Sequence, residues 1–214
     1  GFGRGAVAAL DAGFWRGKRV LLTGHTGFKG GWAAIWLRRL GAQVTGLALA
    51  PDQDPSLFEL AGVERLVAYS RFVDLRDPAA VEAALSGTRF DLALHMAAQP
   101  IVRTAVAEPV ETFATNVMGT VHLLQALRAQ ASLQAVLAVT SDKVYANAGA
   151  GRAFAEGDAL GGKDPYSASK AASEIAAQSF AKSYFEPAGV PLATARGGNV
   201  IGGGDFSRDR IVAD

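Results

Sequence analysis

The chain has 214 residues and no cysteine, which excludes disulfides, thiolate metal sites and cysteine nucleophiles. Histidine is scarce: His25, His95 and His122 are the only three, and their spacing matches no metal-ligand pattern. An excess of one charge is missing too, because 21 Lys and Arg stand against 20 Asp and Glu. A formal charge of +1 provides no broad basic field to attract nucleic acid or a membrane surface, although local clusters can still bind phosphate. No apolar run approaches the roughly 18 residues needed to cross a bilayer, and the stretch from Ala6 to Leu10 is cut off at Asp11 before it can form a secretory core. These absences predict a cytoplasmic protein with no metal, membrane or nucleic-acid partner. Its chemistry then has to come from hydroxyls, carboxylates, lysines or a borrowed cofactor.

Half of the residues are hydrophobic and 25 are glycine, an ordinary globular composition of a length that fits one or two domains. After a lead-in over residues 1–13, expected to be frayed, apolar runs alternate with helix-like segments. Strands are expected at Lys18 to Thr23, Ala42 to Ala50, Tyr69 to Val73, Phe90 to Met96, Ala135 to Thr140 and Pro191 to Arg196. Between them, Gly30 to Leu40 and Asp77 to Leu85 read as helices. From Pro109 to Ala129 the residues Val110, Phe113, Val117, Val121, Leu124 and Leu127 recur at intervals of three and four, the period of one helical face. Asp164-Pro165 reads as a cap and first turn opening a further helix that runs to Phe185. Near-continuous apolar strands separated by helices predict an α/β fold, a doubly wound parallel sheet of Rossmann-like type, which binds ligands beyond the carboxyl ends of its strands.

Three clusters fall at such ends. Gly24-His25-Thr26-Gly27-Phe28-Lys29-Gly30 joins the first strand to the first helix, where glycines permit a tight turn and the helix N-terminus favours a pyrophosphate. An acidic residue about 20 positions further on would bind the adenosine ribose. None stands clearly there: the ribose contact comes from Asp52 or from neither residue of that region, and no arginine there supports a phosphorylated cofactor. Asp74, after the third strand, is either an adenine-side contact or a turn residue. His25 either touches cofactor phosphates or hydrogen-bonds within the turn, and Lys143 is a second candidate contact to the cofactor.

In the second cluster, Tyr166 and Lys170 stand four apart on one helix, so the ammonium can lie near the phenol and favour its ionised form as a base for a sugar hydroxyl. The helix dipole acts in the same sense. In the third, Thr140-Ser141-Asp142-Lys143 combines a polarising hydroxyl with an adjacent acid and amine.

Together with Pro109-Val110-Glu111-Thr112-Phe113, Thr115-Asn116-Val117-Met118-Gly119-Thr120-Val121-His122, Leu160-Gly161-Gly162-Lys163-Asp164-Pro165-Tyr166-Ser167 and Gly198-Asn199-Val200-Ile201-Gly202-Gly203-Gly204-Asp205, these strings make the chain similar to the CDP-glucose 4,6-dehydratase family. That family lies within the extended short-chain dehydrogenases/reductases, and the resemblance runs from Phe14 to the last residue. The dipeptide Asp142-Lys143 is what separates it from other nucleotide-sugar dehydratases, which have Asp-Glu, and from 4-epimerases, which lack the pair. The chain departs from the family pattern at Ala105-Val106, Gly197 and Phe206, where a Ser-Tyr pair, Ala and Trp are usual.

The resemblance implies NAD as cofactor, held by Gly24, His25, Thr26, Gly27, Phe28, Lys29, Gly30, Asp74, Ala97, Ala98, Asn116, Thr140, Tyr166 and Lys170. It implies a nucleotide-sugar substrate met by Gln99 and Asn199, and a homodimer or higher homo-oligomer formed through the helices at 109–129 and 165–185. Catalysis falls to Ser141, Asp142, Lys143, Tyr166 and Lys170. Tyr166, assisted by Ser141, removes the 4-hydroxyl proton, Lys143 acts as base at C5 and Asp142 as acid at the C6 hydroxyl. His95 and His122 are expected to be packed, satisfied polar residues. Family chains continue beyond the length seen here, so residues 14–196 are expected to form the NAD-binding domain and 197–214 the start of a truncated nucleotide-sugar-binding region. Another NAD-dependent nucleotide-sugar epimerase or dehydratase, and a catalytically silent dinucleotide-binding module, are the competing readings.

Overall fold

Every strand of the fold is parallel to its neighbours, as the apolar runs predict. The computed structural model describes residues 11–207 except 148 and 150. In chain order the elements are α1 (Ala12–Trp15), β1 (Arg19–Thr23), α2 (Phe28–Arg39), β2 (Gln43–Ala48), α3 (Leu57–Leu60), α4 (Val63–Leu66), β3 (Tyr69–Phe72), α5 (Pro78–Leu85), β4 (Leu92–His95), α6 (Val102–Ala107), α7 (Pro109–Phe113), α8 (Gly119–Leu127), β5 (Ala135–Val139), α9 (Pro165–Phe180) and β6 (Leu192–Ala195). The order across the sheet is β3-β2-β1-β4-β5-β6. The direction of winding reverses between β1 and β4, which opens a crevice at their carboxyl ends.

Alternation along β1 divides the core. Val20 and Leu22 face a layer containing Ala34, Leu37, Val44, Phe58 and Val63, while Leu21 faces another built on Leu47, Leu123, Leu124, Leu127 and Val136. The helix starts follow the caps. Asp77 accepts the amides of Ala79 and Ala80 ahead of Pro78, and Asp164 forms a capping box with Ser167 ahead of Pro165.

Two features depart from the expected pattern. The helix anticipated over 109–129 is interrupted by a π turn, Ala114–Met118, and a second π turn, Ala181–Phe185, follows α9. In addition α3, α4 and α6 are only four to six residues long, too short to impose a legible period. The described part of the region expected to begin a second domain, 197–207, crosses the carboxyl edge of the sheet onto α2. Trp32 Nε1 donates to the Gly203 carbonyl at 2.8 Å, and Gln53 donates to Ser207 Oγ at 2.8 Å. Among the described residues no helix is long and apolar enough to cross a membrane.

The crevice is held from below by one hydrogen-bonded chain. Thr23 Oγ1 accepts the amides of Met96 and Ala97, each at 3.0 Å. Its own proton is therefore directed to His95 Nδ1, 2.8 Å away. His95 Nε2 then donates to Thr120 Oγ1 at 2.9 Å, and Thr120 donates to the Asn116 carbonyl at 2.7 Å. Only the neutral imidazole with its proton on Nε2 fits this order. Burial, with the Lys170 ammonium second, pushes His95 down to about 3. His25 is pushed down to about 4 by burial.

Because these folded values lie below the ordinary value near 6.5, the unfolded chain takes up protons first as the pH falls. The stability these two rings hold is fully present above pH 6.5 and is lost as the pH drops through the folded values. Each contributes up to about 1.4 kcal/mol per pH unit in that window. Urea midpoints should therefore fall between pH 7 and about 4.5, and His95→Gln should flatten the fall. An equal slope in both proteins would contradict the buried neutral ring.

Candidate active site

The glycine loop after β1 is shaped by close approaches. Gly24 has φ of 80°, and a Cβ there would stand 2.9 Å from the Ala97 amide nitrogen. At Gly30 a Cβ would collide with the Gly24 carbonyl, so this glycine lets α2 pack onto the turn. Gly27 is different, because the nearest protein atom to a Cβ there is the Gly24 carbonyl at an ordinary 3.5 Å. It is the N-cap of α2, and among the described residues no side chain caps that helix. An open N-terminus bordered by bare backbone fits the pyrophosphate of a dinucleotide. Beside it a cleft of about 40 Å³ is lined by Thr26, Gly27, Phe28, Asp52 and Gln53. Asp52, the one candidate that the sequence offers for the ribose, thus lies at the loop. A larger concavity of about 500 Å³, bounded by Thr88, Arg89, Gln130 and Ser132, lies at the amino ends of β4 and β5, away from all of these residues.

At the carboxyl end of β5, Ser141 is buried and its Oγ accepts the Lys143 amide at 3.2 Å, opening a single 3-10 turn over Asp142–Val144. Lys143 Nζ donates to Asp142 Oδ2 at 2.9 Å, with both side chains about half exposed. Beyond β6 the chain passes close by, since a Cβ on Gly198 would be 3.6 Å from Asp142 Oδ2. Asn199 lies exposed in the same passage. Helix α9 packs against this turn and carries Tyr166, partly exposed, in its first turn. Lys170, one turn further along, is buried and donates to the Val139 carbonyl at 3.0 Å. Burial pushes it down to about 8. The Lys29 ammonium adds to the shift and the Glu174 carboxylate opposes it. The arrangement offers a phenol, a hydroxyl and an acid–amine pair at the carboxyl ends of the strands that also carry the glycine turn.

Other predicted contacts are held differently. The His25 imidazole is fully buried beneath the loop, donating to or accepting from Ser70 Oγ at 2.8 Å and packed edge-on against Phe58. Its hydrogen-bond partner thus lies in β3 and not within the turn. A Cβ on Gly46 would fall 2.3 Å from this ring, so the glycine in β2 makes room for it. The Gln99 carboxamide, expected on the substrate, is engaged inside the protein: Nε2 donates to Thr112 Oγ1 at 2.9 Å and Oε1 accepts the Ile101 amide at 2.6 Å. The Thr140 hydroxyl, expected on the cofactor, donates to Glu174 Oε2 at 2.8 Å.

Asn116 lies in the π turn and grips Gln99 through both backbone groups, while its Nδ2 also donates to Ser169 Oγ at 2.9 Å. Asp74 accepts the backbone amide and guanidinium of Arg76, and that guanidinium holds its carboxyl below the ordinary range. Ala97 and Ala98 follow β4 on the crevice floor. His122 Nδ1 meets the Leu75 carbonyl at 2.9 Å. The reading of the sequence missed the buried pair Glu174 and Arg196, although a charge four residues beyond Lys170 on the packed face of a helix was a usable signal.

The model of the GDP-mannose 4,6 dehydratase family matches residues 21–196. The chain is 45% identical over 210 residues to the CDP-glucose 4,6-dehydratase of Salmonella typhimurium, covering 96% of this chain and 58% of that protein. The crystal structure of the Thermus thermophilus UDP-glucose 4-epimerase in complex with NAD superposes with a TM-score of 0.69 at 30% identity, over 83% of this chain and 54% of that one. The UDP-glucose 4-epimerase of Thermotoga maritima, with UDP-glucose, shares the fold at a TM-score of 0.71 and 21% identity, over 83% of this chain and 54% of that one. The chain thus spans a little over half the length of these relatives. With its strand order, its glycine turn and the match across the sheet, it belongs to the GDP-mannose 4,6 dehydratase family.

Proposed function

We propose that this chain provides the cofactor-binding half and the catalytic groups of an NAD-dependent hydro-lyase that converts CDP-D-glucose to CDP-4-dehydro-6-deoxy-D-glucose, a step of deoxysugar biosynthesis. The observation that carries the proposal is the Asp142–Lys143 ion pair at the end of β5, beside the helix bearing Tyr166 and Lys170. The likeness to the Salmonella enzyme supports the cytidine nucleotide and the glucose. The open N-terminus of α2, with Lys29 in its first turn, supports NAD.

Held by the glycine turn and the N-terminus of α2, NAD would supply the acceptor for the C4 hydride of the sugar and the donor for its return at C6. Tyr166 takes the proton of the 4-hydroxyl while Ser141 hydrogen-bonds the same oxygen. The 4-keto group makes the C5 proton acidic, and Lys143 removes it. Asp142 protonates the departing C6 hydroxyl, which leaves as water, and C5 regains a proton when the hydride is delivered. Those roles need Lys143 as free amine and Asp142 as free acid, the reverse of an ion pair. The hydrogen bond between them resolves the difficulty: moving its proton from Nζ to Oδ2 produces both reactive forms without changing the net charge. Displacement of water by substrate from this half-exposed pair favours the neutral forms over the charged ones.

The same reading puts the enzyme in the cytoplasm as a homodimer or higher homo-oligomer. Val102, Val106, Val110 and Ile175 are exposed on α6, α7 and α9, which pack side by side, and a second copy would cover them.

The test is the full-length parent protein supplied with NAD and, in turn, CDP-, UDP-, GDP- and dTDP-glucose, with the products identified. A 4-keto-6-deoxy product from the cytidine sugar is expected, and epimerised sugar or no turnover would defeat the proposal. Asp142→Asn should slow elimination about 100-fold or more, while single-turnover formation of reduced cofactor stays within a fewfold of the parent. Lys170→Met removes a buried ammonium whose folded value lies below its ordinary one, a cost borne at neutral pH and relieved as the pH rises from about 8 towards 10.5. That variant should be at least as resistant to urea at pH 7 as the parent, yet fail in hydride transfer. Val110→Glu with Ile175→Glu should convert a sedimenting dimer to a monomer, and a dimer unchanged by both would place the interface elsewhere.

A further inference from the structure

Glu174 has no role in the chemistry above, yet it is a fully buried carboxylate, and each of its oxygens is engaged. Oε1 accepts Arg196 Nε at 2.9 Å and also Nη2 of the same guanidinium, while Oε2 accepts Thr140 Oγ1 at 2.8 Å. Arg196 follows β6 directly, and its backbone neighbours complete the arrangement. The Ala195 carbonyl accepts the Thr140 amide at 2.8 Å and the Gly197 carbonyl accepts the Asp142 amide at 2.9 Å. On its other side the Arg196 guanidinium lies over the Tyr145 ring, 4.7 Å from the centroid, and Nη1 donates to the Glu156 carbonyl at 3.0 Å. Tyr145 is in turn stacked on Phe154 at 4.5 Å and bridged in antiparallel fashion to Leu160.

Thr140 and Tyr145 bracket the segment Ser141–Val144. One buried ion pair therefore holds both ends of the turn that presents the acid and the amine. A lone carboxylate in this position would be driven towards its protonated form by burial, but Arg196 and Thr140 hold it below its ordinary value. Arg196 is raised by Glu174 in the same exchange. A buried pair is weak evidence for net stability, since an apolar pair of equal volume often serves as well. What such an apolar pair could not supply is the pair's directed bonds to Thr140 and to the Glu156 carbonyl.

We infer that Glu174 and Arg196 are positioning residues, a clamp that fixes the Ser141–Val144 turn so that Asp142 and Lys143 face C6 and C5 of the substrate. The catalytic part of this inference rests on the dehydratase reading, whereas the clamp itself can be tested without it. Removing one partner would strand a buried charge and endanger folding, so the informative variant is Glu174→Gln combined with Arg196→Met. Native-state hydrogen exchange in this chain should show the amides of Asp142 and Val144 exchanging about tenfold faster or more, with those of Leu21 and Leu22 unchanged. Parental exchange at the turn would overturn the clamp.

In the full-length parent carrying the same double substitution, elimination should slow at least about tenfold more than cofactor reduction, with KM for the nucleotide sugar within about threefold. A parental ratio of the two steps would overturn the positioning role. Tyr145→Leu removes only the grip on the far end, and it should shift both readouts in the same direction by a smaller amount. It carries the test if the double variant does not fold, and parental behaviour of Tyr145→Leu would then count against the clamp. A parent that turns over no nucleotide sugar would refute the dehydratase reading, and the exchange measurement would still decide the clamp.

Discussion

A buried imidazole that must stay neutral organises the crevice. His95 accepts a hydrogen bond from Thr23 on one side and donates one to Thr120 on the other, so its protonation would turn an acceptor into a second donor facing a hydroxyl. Through Thr120 and Asn116 the same chain reaches Ser169, whose hydroxyl donates to the Tyr166 carbonyl at 2.8 Å. β1, β4, the π turn and the first turn of α9 are thereby tied into one unit. The extra residue of the π turn belongs to this scheme, since it lies where Asn116 must satisfy Gln99 and Ser169 together.

Much of this architecture was legible beforehand, for identifiable reasons. Buried parallel strands need continuous apolar runs, and each of the six runs became a strand, trimmed by a residue or two at the ends. Asp77-Pro78 and Asp164-Pro165 marked helix starts because cap and first-turn preferences are local. What could not be read were features decided by tertiary packing. The short helices α3, α4 and α6 have no period to display. The placement of His25 depends on a gap at Gly46, in a different strand, and the engagement of Gln99 and Thr140 depends on partners far along the chain.

The site residues divide along the same line. Ser141, Asp142 and Lys143 are contiguous, and Tyr166 and Lys170 share a helix, so sequence spacing alone was enough to group each set. Glu174 and Arg196 are 22 positions apart and meet only because β6 returns beside β5. Charge is distributed accordingly: Lys29 and Lys170 press on one another, while Asp142 balances Lys143 at the end of β5. A dianionic diphosphate would relieve the first crowding without disturbing the second balance.

The ring of His25 occupies the volume that a side chain at position 46 would need. Two positions in different elements thus share a single space, and neither can change size independently. A larger residue in β2 requires a smaller one in the turn, and a shrunken turn residue leaves a void beneath Phe58 and Phe72. Among the described residues Nδ1 of this imidazole is buried without a partner, so half of the ring's polarity goes unused and the residue serves mainly as an aromatic wedge. The glycine turn after β1 consequently rests on a ring held by β2 and β3.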